Sequence, residues 1–141
     1  MTENFLKRYS FNIAANDFIN AGKASSAIKG NLKSMGINAH IVRRIAIISY
    51  EAEINIVIHS LGGQLHCDLY HDRIVITSND VGPGINDIEM AMTEGFSTAP
   101  ESVRELGFGA GMGLPNMKKY SDDFKITSGS NGTEIVITIF L

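Results

Sequence analysis

Apolar positions recur along the chain at two spacings, which divide it into short strands and amphipathic helices. Phe5, Tyr9, Phe11 and Ile13 alternate over residues 5–14 and predict a first strand. From about Asn16 to Ser34, Ala, Ile and Leu return at helical spacing, and Gly36 supplies a stop. A second helix is predicted from Ala39 to Ser60, closed by Gly62-Gly63. Leu65, Cys67 and Leu69 then alternate with His66, Asp68 and Tyr70, and Ile74 and Ile76 keep that period over Arg73 to Ser78. The His71-Asp72 step between the two runs predicts a hairpin. Residues 86–108 mix polar residues with glycine and proline breaks and predict a long mobile loop. A helix over Met112–Ser121 follows, then strands Phe124–Ser128 and Thr133–Leu141 joined by the turn Ser130-Asn131-Gly132.

The order β-α-α-β-β-loop-α-β-β predicts a two-layer α/β sandwich, with helices on one face of a mixed, mostly antiparallel sheet. A doubly wound nucleotide fold is excluded, because it alternates strand with helix and sets its glycine loop after the first strand. Here the glycine clusters come late. Gly22-Lys23-Ala24-Ser25 is no P-loop either, lacking the upstream glycine and a hydroxyl directly after the lysine. No repeat, low-complexity tract or linker divides the 141 residues, so a single domain over 1–141 is expected.

Composition removes several functions. A net charge of −3, with Lys7-Arg8, Arg43-Arg44 and Lys118-Lys119 as isolated pairs, leaves no footprint for nucleic acid or an anionic membrane. Ser49, Glu51, Glu53 and Asn55 interrupt the most apolar segment, Ile45–Ile58, so no membrane span is expected. Met1–Arg8 has no apolar stretch of the signal-peptide kind, and the single cysteine, Cys67, rules out an internal disulfide. A cytoplasmic protein is the expectation. His66, Cys67, Asp68 and His71 look like metal ligands by type alone. Alternation sends Cys67 to the face opposite His66 and Asp68, whereas zinc needs convergent ligands. The methionines read as core and loop packing.

Three motifs carry chemistry. Glu51 and Asn55 are four residues apart on the second helix, so their side chains point the same way, offset by about 40°. An amphipathic helix often carries such a polar stripe, but Ile47, Ile48, Ile54, Ile56, Val57 and Ile58 make this one apolar around most of its circumference. That leaves its polar residues a narrow wet strip or an internal cleft. A carboxamide oxygen suits Mg²⁺, and a carboxylate one turn away can take a proton from a hydroxyl. Asp80 ends a strand at the cluster Asp80-Val81-Gly82-Pro83-Gly84-Ile85. It reads either as an Asx-turn residue or as an acceptor for adenine's exocyclic amine. Gly109, Gly111 and Gly113 alternate just before a helix and can turn several backbone N–H groups toward one anion.

Glu51-x-x-x-Asn55, Asp80-x-Gly-x-Gly-Ile and Gly109-x-Gly-x-Gly-Leu resemble the N, G1 and G2 boxes of the gyrase, heat-shock chaperone, histidine kinase and MutL (GHKL) ATPase superfamily. Gly132-Thr133 resembles its final element. Asp80-x-Gly-Pro-Gly-Ile, Gly95-Phe96-Ser97-Thr98, the Gly-Leu-Pro run with its basic helix and Asp123-Phe124 are similar to the small bacterial anti-sigma-factor and switch-protein serine/threonine kinases. The resemblance spans roughly residues 10–140. It implies ATP or ADP as ligand, Asn55 on Mg²⁺ and Glu51 as the base that activates the attacking hydroxyl. Asp80 would bind the adenine amine, with Thr133 beside it through a water, and Gly82, Gly84 and Ile85 would pack against the nucleoside. Gly109, Ala110, Gly111, Met112, Gly113 and Leu114 would wrap the phosphates, and His59 would lie near them or serve structurally. The segment Pro100–Phe108 makes the nucleotide lid longer than in those kinases. The implied activity is phosphorylation of a STAS-domain (anti-anti-sigma-like) partner, with a sigma factor or other regulator as a further partner and a homodimer allowed. The alternative is a nucleotide-gated anti-sigma or regulator-binding module with little turnover. A detached histidine-kinase catalytic domain is weaker, since none of His40, His59, His66 or His71 sits in an acceptor helix of its own.

Overall fold

Alternate Leu, Ile and Cys positions turn one face of each central strand inward, and among the described residues two long helices and one short one cover that face. In the computed structural model, residues 6–82, 84, 85, 88, 92 and 113–141 are described. Strand β1 (Lys7–Ile13) leads to helices α1 (Lys23–Ser34) and α2 (Ala39–His59). The hairpin β2 (Gly63–Leu69) and β3 (Arg73–Asp80) follows, then α3 (Gly113–Tyr120) and the hairpin β4 (Asp123–Gly129) and β5 (Gly132–Phe140).

The strands lie in the order β1-β2-β3-β5-β4. Every pairing is antiparallel, so the expected mixed sheet is wholly antiparallel among the described residues. The connections explain this. Helices α1 and α2 run out and back, so β2 starts opposite the end of β1, with Gly63 facing Ile13. Strands β3 and β4 both pair antiparallel with β5 and so run the same way. Strand β5 inserts between those two and removes the one parallel contact the topology would create.

The helix expected from Asn16 starts only at Lys23. Asn16 takes φ 60°, and the Asp17 carboxylate accepts from the Asn20 backbone N–H at 3.3 Å and its side-chain amide at 2.8 Å. Such local side-chain bonds compete with the helical ladder. Helix α1 brings no acidic residue to its first turn and no side-chain cap of its own. Glu53 of α2 supplies one. Its carboxylate accepts from the backbone N–H groups of Gly22 (3.0 Å), Ala24 (3.3 Å) and Ser25 (3.0 Å).

Helix α2 is capped by Asn38, whose side chain accepts from His40 N at 2.9 Å, and ends where Ser60 Oγ donates to the Ile56 carbonyl at 2.6 Å. Ile28, Leu32, Ile45, Ile48 and Ile56 from the helices meet Leu65, Ile74, Ile76, Ile137 and Ile139 from the sheet, and Met117 brings in α3; all are fully buried. Each such side chain is worth about 1.5–3 kcal/mol of burial. Cys67 belongs to this core, and burial pushes its thiol up to about 12. His66 faces the other side and lies 2.8 Å from Ser10 Oγ. Asp68 shares that open face yet is only 3% exposed, because Arg8 covers it with two hydrogen bonds of 2.6 and 2.8 Å. No described helix is long and apolar enough to cross a membrane.

Candidate functional site

At one end of the sheet, the row that continues the core is polar. The inward face of β3 runs Ile74, Ile76, Ser78, Asp80, and that of β5 runs Ile139, Ile137, Ile135, Thr133. On β4 the same face carries Phe124, Ile126 and then Ser128, which stands opposite Thr133. Asp80, Thr133 and Ser128 are linked by hydrogen bonds. Thr133 N donates to Asp80 Oδ1 at 2.9 Å, and the hydroxyls of Ser128 and Thr133 are 2.9 Å apart. Ile85 N donates to Ser128 Oγ at 2.6 Å and ties the first glycine cluster to the β4–β5 hairpin. Gly84 makes this crossing possible: its φ is +77°, and a Cβ there would collide with the Gly129 carbonyl. Gly82 N joins the same hairpin, donating to the Asn131 carbonyl at 3.3 Å.

Burial raises the Asp80 pKa above its usual value, while the Thr133 N–H and the neighbouring His59 work the other way. His59 ends α2 with part of its ring open to solvent. Its pKa is lowered by the surroundings that desolvate it, against the pull of the Asp80 charge.

One and two turns back along α2 stand Asn55 and Glu51, each half-buried. Helix α3 opens directly against them. A Cβ on Gly113 would lie 3.2 Å from Asn55 Oδ1 and 3.3 Å from Glu51 Oε2, so any side chain there would crowd both oxygens. Burial raises the Glu51 pKa, and a hydrogen bond from the Asn116 side chain on α3 offsets part of that. A carboxylate with weakened hold on its charge is a better proton acceptor than one saturated by donors.

The structure thus brings Glu51, Asn55 and Gly113 together, and links Asp80, Gly82, Gly84, Ile85 and Thr133 in a second group, with His59 and Asp80 coupling the two. Leu114 turns its side chain into the core. Gly109, Ala110, Gly111 and Met112, and the expected loop at 86–108 apart from Ile88 and Met92, lie outside the described residues. Sequence reasoning missed Ser128 and Asn116. Ser128 was signalled by a hydroxyl at an inward position of β4, and Asn116 by its place one turn after Gly113.

A separate cleft of about 480 Å³ opens between β1 and the start of α1, lined by Phe11, Asn12, Asp17, Lys23, Glu53 and Val57 among others. It lies on the other side of α2 and shares no residue with the Glu51–Asn55 row.

Residues 40–141 match the family described as histidine kinase-, DNA gyrase B-, and HSP90-like ATPase. The chain is 34% identical over 108 residues to the serine/threonine-protein kinase RsbT of Bacillus subtilis, covering 73% of this chain and 75% of that one. It is 31% identical over 94 residues to the anti-sigma F factor of Clostridium novyi, covering 62% of each. The histidine kinase domain of the blue-light-activated kinase EL346 from Erythrobacter litoralis superposes with a TM-score of 0.51 at 16% identity, over 84% of this chain and 64% of that one. The chain therefore spans less than two thirds of the length of the last two, and the structural likeness speaks for the fold. With the family matched over residues 40–141 and the same fold found in a solved kinase domain, the chain belongs to the histidine kinase-, DNA gyrase B- and HSP90-like ATPase family.

Proposed function

We propose that the protein is an ATP-dependent serine/threonine kinase of a bacterial partner-switching module, and that its substrate is a small STAS-domain protein in sigma-factor regulation. The observation that carries this reading is Glu51. It is a half-buried carboxylate with a raised pKa, beside a carboxamide oxygen, at the mouth of the helix that follows the second glycine cluster. A protein that only bound nucleotide would need no proton acceptor there. The similarity to a curated serine/threonine kinase supports the same class.

The donor chemistry fits Mg²⁺, since Asn55 Oδ1 is a hard oxygen and the residue set against it at the start of α3 is a glycine, with no side chain to crowd it. Asn55 would hold the ion, which when bound neutralises phosphate charge. Asp80 accepts from the adenine amine, and the main chain at Gly113 and Leu114 faces the phosphates. The partner's serine or threonine oxygen attacks the γ-phosphorus in line, and the bond from that phosphorus to the β–γ bridging oxygen breaks. The hydroxyl proton passes to Glu51, and ADP leaves.

The similarity to anti-sigma F factors favours a second reading, in which nucleotide gates capture of a sigma factor or another regulator with little turnover. Incubation with γ-labelled ATP and candidate STAS-domain proteins separates the two. Label on a partner serine or threonine is expected. A stable ATP-dependent complex that never acquires label would replace the kinase by the binding module.

A further inference from the structure

We propose that the solvent face of the helix layer, around Lys33, Arg43, Lys118 and Lys119, is a docking surface for an acidic flank of the protein substrate. The inference rests on the reading of the chain as a kinase and deepens it, by naming the charge its partner must present.

The charges of this chain are sorted by layer. Although the net charge is −3, seven of the 12 lysines and arginines stand on the three helices, three on α1 and two each on α2 and α3. Those helices carry only two carboxylates, and neither answers the cations at the surface. Glu53 is buried on the α1 amides, and Glu51 is half-buried against α3. The exposed carboxylates Asp72, Asp123 and Glu134 belong to the two sheet hairpins.

Basic pairs that stand apart in the sequence meet in the fold. The turn between α1 and α2 brings Lys33, in the last turn of α1, and Arg43, near the start of α2, to the same end of the helix pair. Helix α3 runs back along α2, so its last turn, with Lys118 and Lys119, arrives at that end too. There Arg44 Nε donates to the Tyr120 carbonyl at 2.9 Å. Arg44 also bonds Asp122 at 3.1 Å and so neutralises a carboxylate at the edge of the patch. Lys33, Arg43, Lys118 and Lys119 are all exposed.

Helix α3 itself joins the patch to the reaction site. Lys118 follows Gly113 by five residues, about 7.5 Å along the axis, so a protein seated on the patch has its surface within reach of Glu51. Like charges gathered in this way steer an oppositely charged partner and speed its encounter. An anionic bilayer is the poorer fit, because it also takes up large apolar side chains, and Tyr50 is the one exposed large hydrophobic on the described helices.

The test uses the STAS-domain protein that the parent labels. Steady-state transfer is measured for the parent, Lys118→Glu/Lys119→Glu, Arg43→Glu and a control, Lys7→Glu/Lys125→Glu, which makes the same double charge change on strands β1 and β4. Thermal melting and Mg-ATP titration show that each variant is folded and loads nucleotide. At about 50 mM salt the KM for the partner should rise about tenfold in Lys118→Glu/Lys119→Glu and severalfold in Arg43→Glu, with kcat and ATP affinity unchanged. The difference should shrink to about twofold at about 0.5 M salt, and the control should stay within about twofold throughout. Reversing an acidic residue of the partner should restore the KM of the charge-reversed kinase. A KM unchanged in both patch variants overturns the docking role, and so does a KM raised equally in the control, which would be an effect of net charge. Binding of the parent to phosphatidylserine vesicles that the patch variants lose, with KM untouched, overturns it in favour of a membrane. A parent that labels no STAS-domain protein overturns the kinase reading itself, and the docking role falls with it.

Discussion

Glu51 and Glu53 leave the same helix two residues apart, about 200° around its axis, and end in opposite situations. Glu53 is 2% exposed, and three backbone N–H groups at the start of α1 are satisfied by its two oxygens. Glu51 is half-buried with Asn116 as its one assigned hydrogen-bond donor, and the glycine of α3 stands clear of its oxygen. One side of α2 commits its carboxylate to a helix end, where both oxygens accept backbone N–H groups. On the other side, Asn116 is the one donor to the carboxylate among the described residues, short of what its two oxygens can accept. A group that must accept a proton during a reaction needs that vacancy, and a group that stabilises a fold does not. Residue type and charge alone do not tell the two apart; burial and the census of described donors do.

The largest effect expected from breaking this contrast is on chemistry at Glu51. Glu51→Gln keeps shape and hydrogen bonding but removes the base. Phosphoryl transfer to the partner in single-turnover assays should slow by about 10²–10⁴-fold, with Mg-ATP affinity nearly unchanged. Unimpaired transfer would assign the proton to another acceptor or to the phosphate itself.

The matching change on the other side should act on stability. Glu53→Gln leaves the α1 amides a neutral acceptor in place of a charged one, and places two amide protons among buried donors. Denaturant unfolding should show a loss of about 1.5–3 kcal/mol, the worth of a hydrogen bond to a charged group. Transfer per folded molecule should be unchanged. A Glu53→Gln protein as stable as the parent would mean that the three contacts contribute nothing net. The contrast between the two sides of α2 would then collapse.

Smaller again is the effect at Asn55. Asn55→Ala removes a candidate oxygen ligand without adding charge. Titration with ATP in the presence and absence of Mg²⁺ should show about tenfold weaker binding with the ion, or about 1.4 kcal/mol, and little change without it. Equal losses under both conditions would point to a direct contact between the carboxamide and the nucleotide.

Much of this was legible in the residues. Alternation located the five described strands to within a few residues, and residue type and spacing singled out Glu51, Asn55, Asp80 and the first glycine cluster, which the fold gathers at one end of the sheet. What stayed hidden depended on partners far along the chain. Glu53 reaches amides 28 to 31 residues upstream, and Ser128 receives an N–H from 43 residues before it, so no local pattern marks either. Glu53 left one indirect trace, an α1 with no acidic or side-chain cap of its own. The premature start assigned to α1 has a different cause. Helical spacing persists through Asn16–Gly22, but Asp17 and Asn20 bond to each other there, and Gly22 takes φ +97°. Periodicity does not register that competition.

The finest distinction between the two carboxylates concerns pH. Burial raises the Glu51 pKa in the folded protein above 4.5, its ordinary value, and Asn116 recovers only part of that cost. A carboxyl whose folded pKa is raised binds its proton more tightly folded than unfolded. Its ionised form is therefore unfavourable to the fold, fully so above the folded pKa and not at all below the unfolded one. Glu51→Gln removes that penalty. The variant should melt slightly higher than the parent at neutral pH, and the advantage should shrink as pH falls and vanish below about 4, where both proteins are neutral at this position. Melting curves from pH 4 to 8 on parent and variant measure the difference directly. A variant that melts lower at neutral pH would show that the Glu51 charge supports the fold. The vacancy assigned to the catalytic side of α2 would then already be filled.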